Sequence, residues 1–296
     1  MEAAAAASPP RRPVKDRVAW AVLVGLFAVA VIYILVAVPR DDAPRANTAP
    51  TATPHSDGLS ERHDGYTLEP LALPTQRGGD VPVAFRILDP GGSPVTGYAT
   101  VQAKPLHMYV AREDLSLFQH VHPRLVDDTW RATVDVPDGG VYRLYVEFTP
   151  AGRAAILHPT LLGVRFIITG DTSYVPLPAA AAAVRAGPYT VRRLDGTARQ
   201  AHGTPAPLRL QVLDGDGRPV TTLQPYLGAF AHISAFDVFT QAMTHVHAVA
   251  APDGPPPADG VLAFHTVWSS PGAQRVFVEF QVGGTVQLAA FTVVVT

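Results

Sequence analysis

The sequence predicts an all-β protein that follows a single N-terminal transmembrane helix. Three observations support this fold class: one long apolar segment near the N-terminus, short apolar alternations that recur about every ten residues beyond it, and an internal repeat. Proline and glycine are abundant, at 29 and 24 residues, which suits many short strands joined by turns. We therefore expect strands, rather than helices, to build the part of the chain that follows the apolar segment.

The apolar segment, residues 18–38, carries no charged residue. As a helix it would be about 31 Å long, which matches the hydrocarbon core of a bilayer. Basic residues precede it, so the positive-inside rule places residues 1–17 in the cytoplasm and the following domains outside the cell membrane. We expect a single-pass anchor in the lipid bilayer; a cleavable signal peptide is the alternative, although its apolar core usually has only about 7–15 residues.

Composition excludes two kinds of chemistry. The net charge is −2 and charged residues make up 16 % of the chain, so nothing predicts the basic surface of a nucleic-acid-binding protein. The chain has no cysteine, which rules out disulfides and thiolate ligands. A metal site in this protein would have to use histidine, carboxylate or methionine side chains.

The internal repeat becomes visible when the sequence is shifted by 125 residues. Residues 81–122 then align with 206–247 without a gap, and "ILDPGGSPVT" matches "VLDGDGRPVT". After a seven-residue insertion in the second copy, "VYRLYVEF" matches "AQRVFVEF". The spacing of short strands and turns favours an immunoglobulin-like β-sandwich for each copy. We predict a flexible tether at 39–63, a first β-sandwich domain at 64–170, a linker at 171–187 and a second β-sandwich domain at 188–296.

The repeat also aligns one trio of histidines with another: His107, His120 and His122 with His232, His245 and His247. Residues i and i+2 of a strand share a face, so the last two histidines of each trio should project together. If the first histidine lies on the other arm of a hairpin with a loop of about five residues, it should lie nearly opposite. Three converging imidazoles with an open fourth position suit Cu²⁺ or Zn²⁺.

The alternative is that these histidines have no ligand, since a lone H-x-H pair in a strand is often structural. The divergence of the two copies favours a site, because only 8 of the 39 other aligned positions are identical whereas all three histidines are kept. The Irving–Williams order favours Cu(II) over Zn(II) at an imidazole site. We therefore predict one three-histidine site in each domain, with Cu(II) as the metal and Zn(II) as the alternative.

Three further residues are candidate ligands: Glu147, Glu279 and Met243. The glutamates occupy matching strands, and Arg143 and Arg275 precede them by four residues on the same strand face. A solvated Arg/Glu pair is therefore the preferred interpretation of each glutamate. Met243 shares the face of the second H-x-H pair, where a thioether would suit copper, and packing in the core is the alternative.

One stretch of the first copy resembles a known family. "LHMYVAREDLSLFQHVHP", followed by "DTW" and "GGVYRLYVEFTPAG", is similar to bacterial envelope β-sandwich proteins with an H-x12-H-x-H-P signature, some described as YtkA-like. The resemblance covers about residues 81–170 and implies a metal-related role in the cell envelope, beside copper and heavy-metal tolerance functions. The second copy keeps the histidines but lacks the Asp-Leu pair and the final proline of that signature.

The sequence thus predicts a membrane-anchored, extracytoplasmic metal-binding protein that acts in metal buffering, delivery or sensing. Its expected partners are the bilayer, a metal ion and another envelope metal-handling protein. We do not expect an enzyme, because no Ser/His/Asp set is evident and no glutamate closely follows the first H-x-H pair, as it does in a cupin. A structural or adhesive immunoglobulin-like protein without metal is one alternative, and a metal-dependent hydrolase or oxygenase is another.

Overall fold

The computed structural model of the protein describes residues 56–152, 159–248 and 254–296. The predicted cytoplasmic segment, the predicted transmembrane helix 18–38 and most of the predicted tether lie outside these residues. Within the described ranges, no helix has the length and apolar character needed to cross a membrane. All named secondary-structure elements in this part of the chain are β-strands, which confirms the all-β prediction.

The first half of the described chain forms two antiparallel sheets. Its strands are β1 (Arg62–His63), β2 (Tyr66–Ala72), β3 (Gly78–Leu88), β4 (Leu106–Arg112), β5 (Phe118–Val121), β6 (Arg124–Val126), β7 (Thr129–Val136), β8 (Gly140–Phe148) and β9 (Thr160–Ile168). One sheet has the order β1-β2-β3-β7-β6 and the other the order β5-β4-β8-β9. Phe85 and Trp130 of the first sheet pack with Met108 and Leu144 of the second in one buried core, which makes this half a β-sandwich.

The second half repeats this arrangement. Its strands are β10 (Ala183–Ala186), β11 (Tyr189–Arg193), β12 (Pro205–Leu213), β13 (Leu223–Gln224), β14 (Ala231–Asp237), β15 (Met243–His245), β16 (His247–Ala248), β17 (Val261–Val267), β18 (Gly272–Val282) and β19 (Thr285–Val295). One sheet runs β10-β11-β12-β17-β16, and the other runs β13-β18-β14-β15 with β19 beside β18. Leu210 and Phe264 of one sheet pack with Val278 and Phe291 of the other.

The predicted domain boundaries stay predictions, but two strands lie in segments expected to be irregular. Strand β1 falls in the predicted tether, where it pairs with β2. Strand β10 lies inside the predicted linker and pairs with β11. Both segments therefore contribute to the sandwiches at their edges.

A turn present in both halves shows the repeat at atomic detail. Asp89 accepts hydrogen bonds from two backbone N–H groups of its turn, and Asp214, 125 residues later, does the same. The φ angles of Gly92 and Gly217 are 82° and 78°, a left-handed conformation that glycine adopts at little cost. The internal repeat is therefore confirmed in structure as well as in sequence.

A third apolar cluster lies between the two sandwiches. We call it the interface cluster; it contains Tyr109, Ala111, Leu115, Phe118, Tyr145 and Leu161 of the first half with Phe236, Met243 and Phe277 of the second. The rings of Phe118 and Phe277 are stacked with their centroids 4.3 Å apart. The Tyr145 hydroxyl donates to the backbone oxygen of Gln241 at 2.8 Å, so polar contacts also join the halves.

Strand β4 is buried on both of its faces because of this packing. Met108 and Val110 belong to the core of the first sandwich, whereas Tyr109 and Ala111 belong to the interface cluster. Since side chains alternate along a strand, His107 lies on the face that meets the second sandwich. Strand β14 is also buried along its whole length, and its His232 lies on the corresponding face.

Candidate metal centre

The hairpin formed by β4 and β5 positions the first histidine trio. The loop between the strands, residues 113–117, has the predicted length of five residues. The cross-strand register pairs Tyr109 with His120, so His107 lies diagonal to His120 rather than opposite it. Continued by one step, the same register brings His122 beside His107. The predicted register was therefore wrong by two residues, yet all three side chains are brought together.

Asp114 holds the hairpin loop in shape. Its carboxylate accepts hydrogen bonds from the backbone N–H groups of Ser116 and Val175 and lies 3.1 Å from a guanidinium nitrogen of Arg112. Burial alone would raise the pKa of Asp114, but these hydrogen bonds and the Arg112 charge outweigh it and lower the pKa. Leu115, the next residue, is buried in the interface cluster. The Asp-Leu pair thus fixes the loop and docks it against the second half.

The three histidine rings converge on one point. Nδ1 of His107 lies 3.0 Å from Nε2 of His120 and 3.3 Å from Nε2 of His122. Among the described residues, these three form the group of ligand atoms that lie within 4.8 Å of one another. Three nitrogens bound tetrahedrally to Zn²⁺ at about 2.0–2.1 Å would be about 3.3 Å apart, so the separations fit a single metal ion.

Hydrogen bonds orient two of these rings toward that point. Nε2 of His107 donates to the carbonyl oxygen of Val101 at 3.0 Å, which leaves the Nδ1 lone pair of the neutral ring facing the cluster. Nδ1 of His120 donates to the Glu279 carboxylate at 2.6 Å, so a metal ion would bind this ring through Nε2, which faces the cluster. Metal-bound histidines in proteins are usually oriented in this way, by a carbonyl or carboxylate on the second ring nitrogen.

Burial keeps the third ring neutral. His122 is partly buried. Burial is the main cause that lowers its pKa to about 3, and the charges of His120 and His107 lower it further. The ring therefore offers a lone pair at neutral pH, as a metal ligand must.

A tight turn that sequence reasoning missed supplies the carbonyl group for His107. Its central residues, Gln102 and Ala103, have φ angles of 48° and 61°, and a bridge joins Val101 to Lys104. Left-handed values at both central positions are typical of a type I′ turn, which normally prefers asparagine, aspartate or glycine. Neither residue follows that preference, so the usual turn signal was absent from the sequence.

The same turn recurs in the second half. Leu227 and Gly228 have φ angles of 53° and 78°, and a bridge joins Tyr226 to Ala229. Nε2 of His232 donates to the Tyr226 oxygen at 2.6 Å, which repeats the contact between His107 and Val101. Both sandwiches thus orient the first histidine of the trio by the same device.

Glu147 and Glu279 are buried, whereas the sequence favoured a solvated Arg/Glu pair for each of them. Each lies directly opposite a histidine of its own sandwich, Glu147 opposite His107 and Glu279 opposite His232. Their exposed fractions are 5 % and 8 %, so the solvated Arg/Glu pairs favoured from the sequence are wrong. The Tyr109 hydroxyl donates to Glu147 at 3.0 Å. Burial is the main cause that raises the pKa of Tyr109 well above its ordinary value, and the negative charge of Glu147 raises it further.

The arginines of the predicted pairs contact backbone oxygen atoms instead. Arg143 donates to the carbonyl oxygens of Gly58 and Leu59, at 3.3 and 3.1 Å. Arg275 lies 3.4 Å from the carbonyl oxygen of Ala290. These contacts tie each arginine to a neighbouring segment of its own half.

The second trio is described only in part. Burial is the main cause that lowers the pKa of His232 to about 4, so this ring is neutral at neutral pH. The backbone of His245 pairs with Ser234, the same register that pairs His120 with Tyr109. His247 lies in β16, which pairs with β17 in the other sheet. The side chains of His245 and His247 lie outside the described residues.

The remaining candidate ligand, Met243, packs in the interface cluster and lines a small cavity between the two halves. Tyr109, His120, Glu147 and His232 line the same cavity. Met243 occupies the position of Phe118 in the repeat and, like Phe118, is buried. Its surroundings are those of a packing residue.

The fold and the site define a class: a tandem all-β sandwich protein with a partly buried histidine cluster where its two sandwiches meet. The chain belongs to the family described as Domain of unknown function (DUF8832), which matches residues 61–162 and 183–296. These two segments correspond to the two halves of the repeat. No curated protein matches the chain.

Several solved structures match the chain at low identity and low TM-score. Domains 4 and 5 of the S-layer protein SbsC are 10 % identical and cover 78 % of this chain and 97 % of their own, with a TM-score of 0.24. The fibronectin(III)-like modules of Clostridium thermocellum CbhA are 8 % identical and cover 78 % of this chain and 94 % of their own, with a TM-score of 0.22. The Lin-41 filamin domain is 14 % identical and covers 40 % of this chain and 96 % of its own, with a TM-score of 0.26.

Proposed function

We propose that this protein binds Cu²⁺ through His107, His120 and His122 and acts as a membrane-anchored, extracytoplasmic protein of metal buffering, delivery or sensing. The observation that carries the proposal is the convergence of three imidazole nitrogens within 4.8 Å. The hydrogen bonds on the outer nitrogens of His107 and His120 support it, because they direct the lone pairs inward.

The choice of metal follows from the donor set. Neutral imidazoles suit Cu²⁺ and Zn²⁺, and the Irving–Williams order favours Cu²⁺ when both are available. Without cysteine the chain offers no thiolate for a tight Cu⁺ site. Zn²⁺ remains the alternative metal, and it would use the same three nitrogens.

The proposed extracytoplasmic location is supported by the sequence alone. The uncharged segment 18–38 and the basic residues before it support an anchor with the β-sandwiches outside the membrane. The resemblance of the first copy to YtkA-like envelope proteins supports a metal-related role there. The repeat supports a second site at His232, His245 and His247.

Calorimetric titration of the full chain in detergent with Cu²⁺, and separately with Zn²⁺, tests this function. We expect two binding events per chain, of which His120→Ala removes one and His245→Ala the other. A metal that binds only the folded state should also stabilise it by about 2.7 kcal/mol at 100 times its Kd, which a thermal melt would detect.

His202→Ala is the matched control, since His202 is exposed and lies outside both trios. It should leave both binding events unchanged. Absence of metal uptake by the unmodified chain near neutral pH, together with an unchanged melting temperature, would overturn the proposal and favour a purely structural pair of sandwiches.

A further inference from the structure

One residue of the second sandwich belongs to the histidine site of the first. Oε2 of Glu279 lies 2.6 Å from Nδ1 of His120, although the two residues are 159 positions apart in sequence. The side chains of His120 and Glu279 are 1 % and 10 % exposed, so this contact is shielded from water. The histidine cluster is therefore assembled from both halves of the protein.

The contact is compatible with a bound metal because it uses the outer nitrogen of the ring. Glu279 occupies Nδ1 of His120, while Nε2 of the same ring faces His107. A simple ion pair would need a protonated ring, and metal binding would then compete with it. A carboxylate and a metal ion can instead bind opposite sides of one imidazole, and each then strengthens the other.

Other contacts between the halves lie close to the contact between His120 and Glu279. His120 and His232 line the same interdomain cavity, together with Tyr109, Glu147 and Met243. The stacked rings of Phe118 and Phe277 come from the same two strands, β5 and β18, that carry His120 and Glu279. A change in the position of β18 would therefore move Glu279 relative to the site.

We propose that Glu279 is a positioning residue that completes the first metal site from the opposite sandwich, so that metal uptake fastens the two sandwiches together. This inference rests on the proposed function. A carboxylate on the outer nitrogen fixes the ring tautomer and increases the basicity of the inner nitrogen, and loss of such a partner typically weakens metal binding by about 10–100-fold. By linkage, a metal that binds better when Glu279 is in place must also stabilise the docked arrangement.

The first test is Cu²⁺ titration of the full chain with Glu279→Gln in a His247→Ala background, which removes a ligand of the proposed second site. We expect the remaining affinity to fall by about 10–100-fold relative to His247→Ala alone. Glu69→Gln is the matched control; it removes the same charge from a partly exposed side chain of β2 and should leave the affinity unchanged. Circular dichroism of each variant checks that the fold is retained.

The second test is hydrogen exchange, measured by mass spectrometry with and without Cu²⁺. In the His247→Ala chain, metal should slow exchange of backbone amides in β18 as well as in β4 and β5. Glu279→Gln should abolish the protection of β18 while leaving that of β4 and β5 at saturating metal. This readout reports on the interdomain contact, which a residue important only for folding would not change selectively.

The outcomes separate the two proposals. Unchanged affinity in Glu279→Gln, with protection confined to β4 and β5, would overturn the interdomain role and leave metal binding intact. Failure of the unmodified chain to take up Cu²⁺ or Zn²⁺ would overturn the proposed function and this inference together.

Discussion

The orientation of His107 depends on a turn that holds two residues in an unfavourable backbone conformation. Gln102 and Ala103 both adopt positive φ angles, and the turn they form presents the Val101 carbonyl group to Nε2 of His107. For residues other than glycine, a left-handed backbone conformation costs about 1–2 kcal/mol. The second half has Gly228 at the position of Ala103, so the two copies offer an internal comparison.

We predict that Ala103→Gly increases the free energy of unfolding and that Gly228→Ala decreases it, each by about 1 kcal/mol. The added methyl group of Gly228→Ala would meet nothing within 4 Å, so the loss reports the backbone conformation alone. Denaturant unfolding of the full chain measures both changes. If both variants changed the free energy of unfolding in the same direction, this explanation of the turn would be contradicted.

At the scale of single residues, the sequence could predict that the histidines of the first trio come together but not what orients them. The trios were detected because the repeat retains them among diverged neighbours. The Val101 carbonyl could not be predicted, because a backbone oxygen leaves no residue signature. Glu279 was identified as a candidate ligand, but its partner His120 lies in the other copy, and alignment of a repeat with itself gives no information on contacts between the copies.

At the scale of elements, the two hairpins reach the same loop length with different residues. The first hairpin is held by Asp114, within its loop. The second is held by Asp237 at the end of β14, whose carboxylate accepts hydrogen bonds from the backbone of Phe239 and Thr240. The missing Asp-Leu pair in the second copy is therefore replaced by a carboxylate two positions earlier in the repeat.

Asp114 gives the first hairpin a predictable response to acid. Its pKa is lower in the folded state than in the unfolded chain, so its contribution is present above the ordinary value near 3.8 and is lost as pH falls through the folded value. We predict that Asp114→Asn lowers stability by about 1–3 kcal/mol at neutral pH, since it removes hydrogen bonds to a charged group. The difference from the unmodified protein should shrink as pH falls below about 4.

Urea unfolding at a series of pH values measures this effect. Asp216→Asn is the control, because Asp216 is exposed and pairs with an exposed arginine, Arg218. Its effect should be small at every pH. A difference for Asp114→Asn that stays constant down to pH 2 would rule out the carboxylate as its cause.

At the scale of the whole molecule, the two sandwiches are joined largely through aromatic side chains. Phe118 and Phe277 stack across the boundary, and Tyr145 and Phe236 lie beside them with ring centroids 5.2 Å apart. The sequence predicted two β-sandwich domains joined by a linker and did not indicate that strands β4 and β14 are buried on both faces. Strands covered on both faces usually form near-continuous apolar runs. Arg112 in β4 and Asp237 in β14 interrupt such a run although both are buried, so the pattern did not indicate a second packing surface.

We predict that Phe118→Ala uncouples the two sandwiches. Loss of a buried phenylalanine side chain should cost about 3–5 kcal/mol and should split a shared thermal transition into two. Phe118→Met, which introduces the residue found at the equivalent position 243, should cost less. Differential scanning calorimetry of the full chain checks both outcomes, and a single transition with an unchanged midpoint in Phe118→Ala would contradict the coupling.

The two sandwiches meet through related surfaces of one polypeptide, so each surface can change in sequence independently of the other. In a pair of identical subunits, every substitution appears on both sides of the contact, and each must be tolerated twice. Within one polypeptide a change appears once, so position 109 can be tyrosine where 234 is serine, and position 118 phenylalanine where 243 is methionine. Covalent joining therefore allows two related halves to specialise without losing the face that each presents to the other.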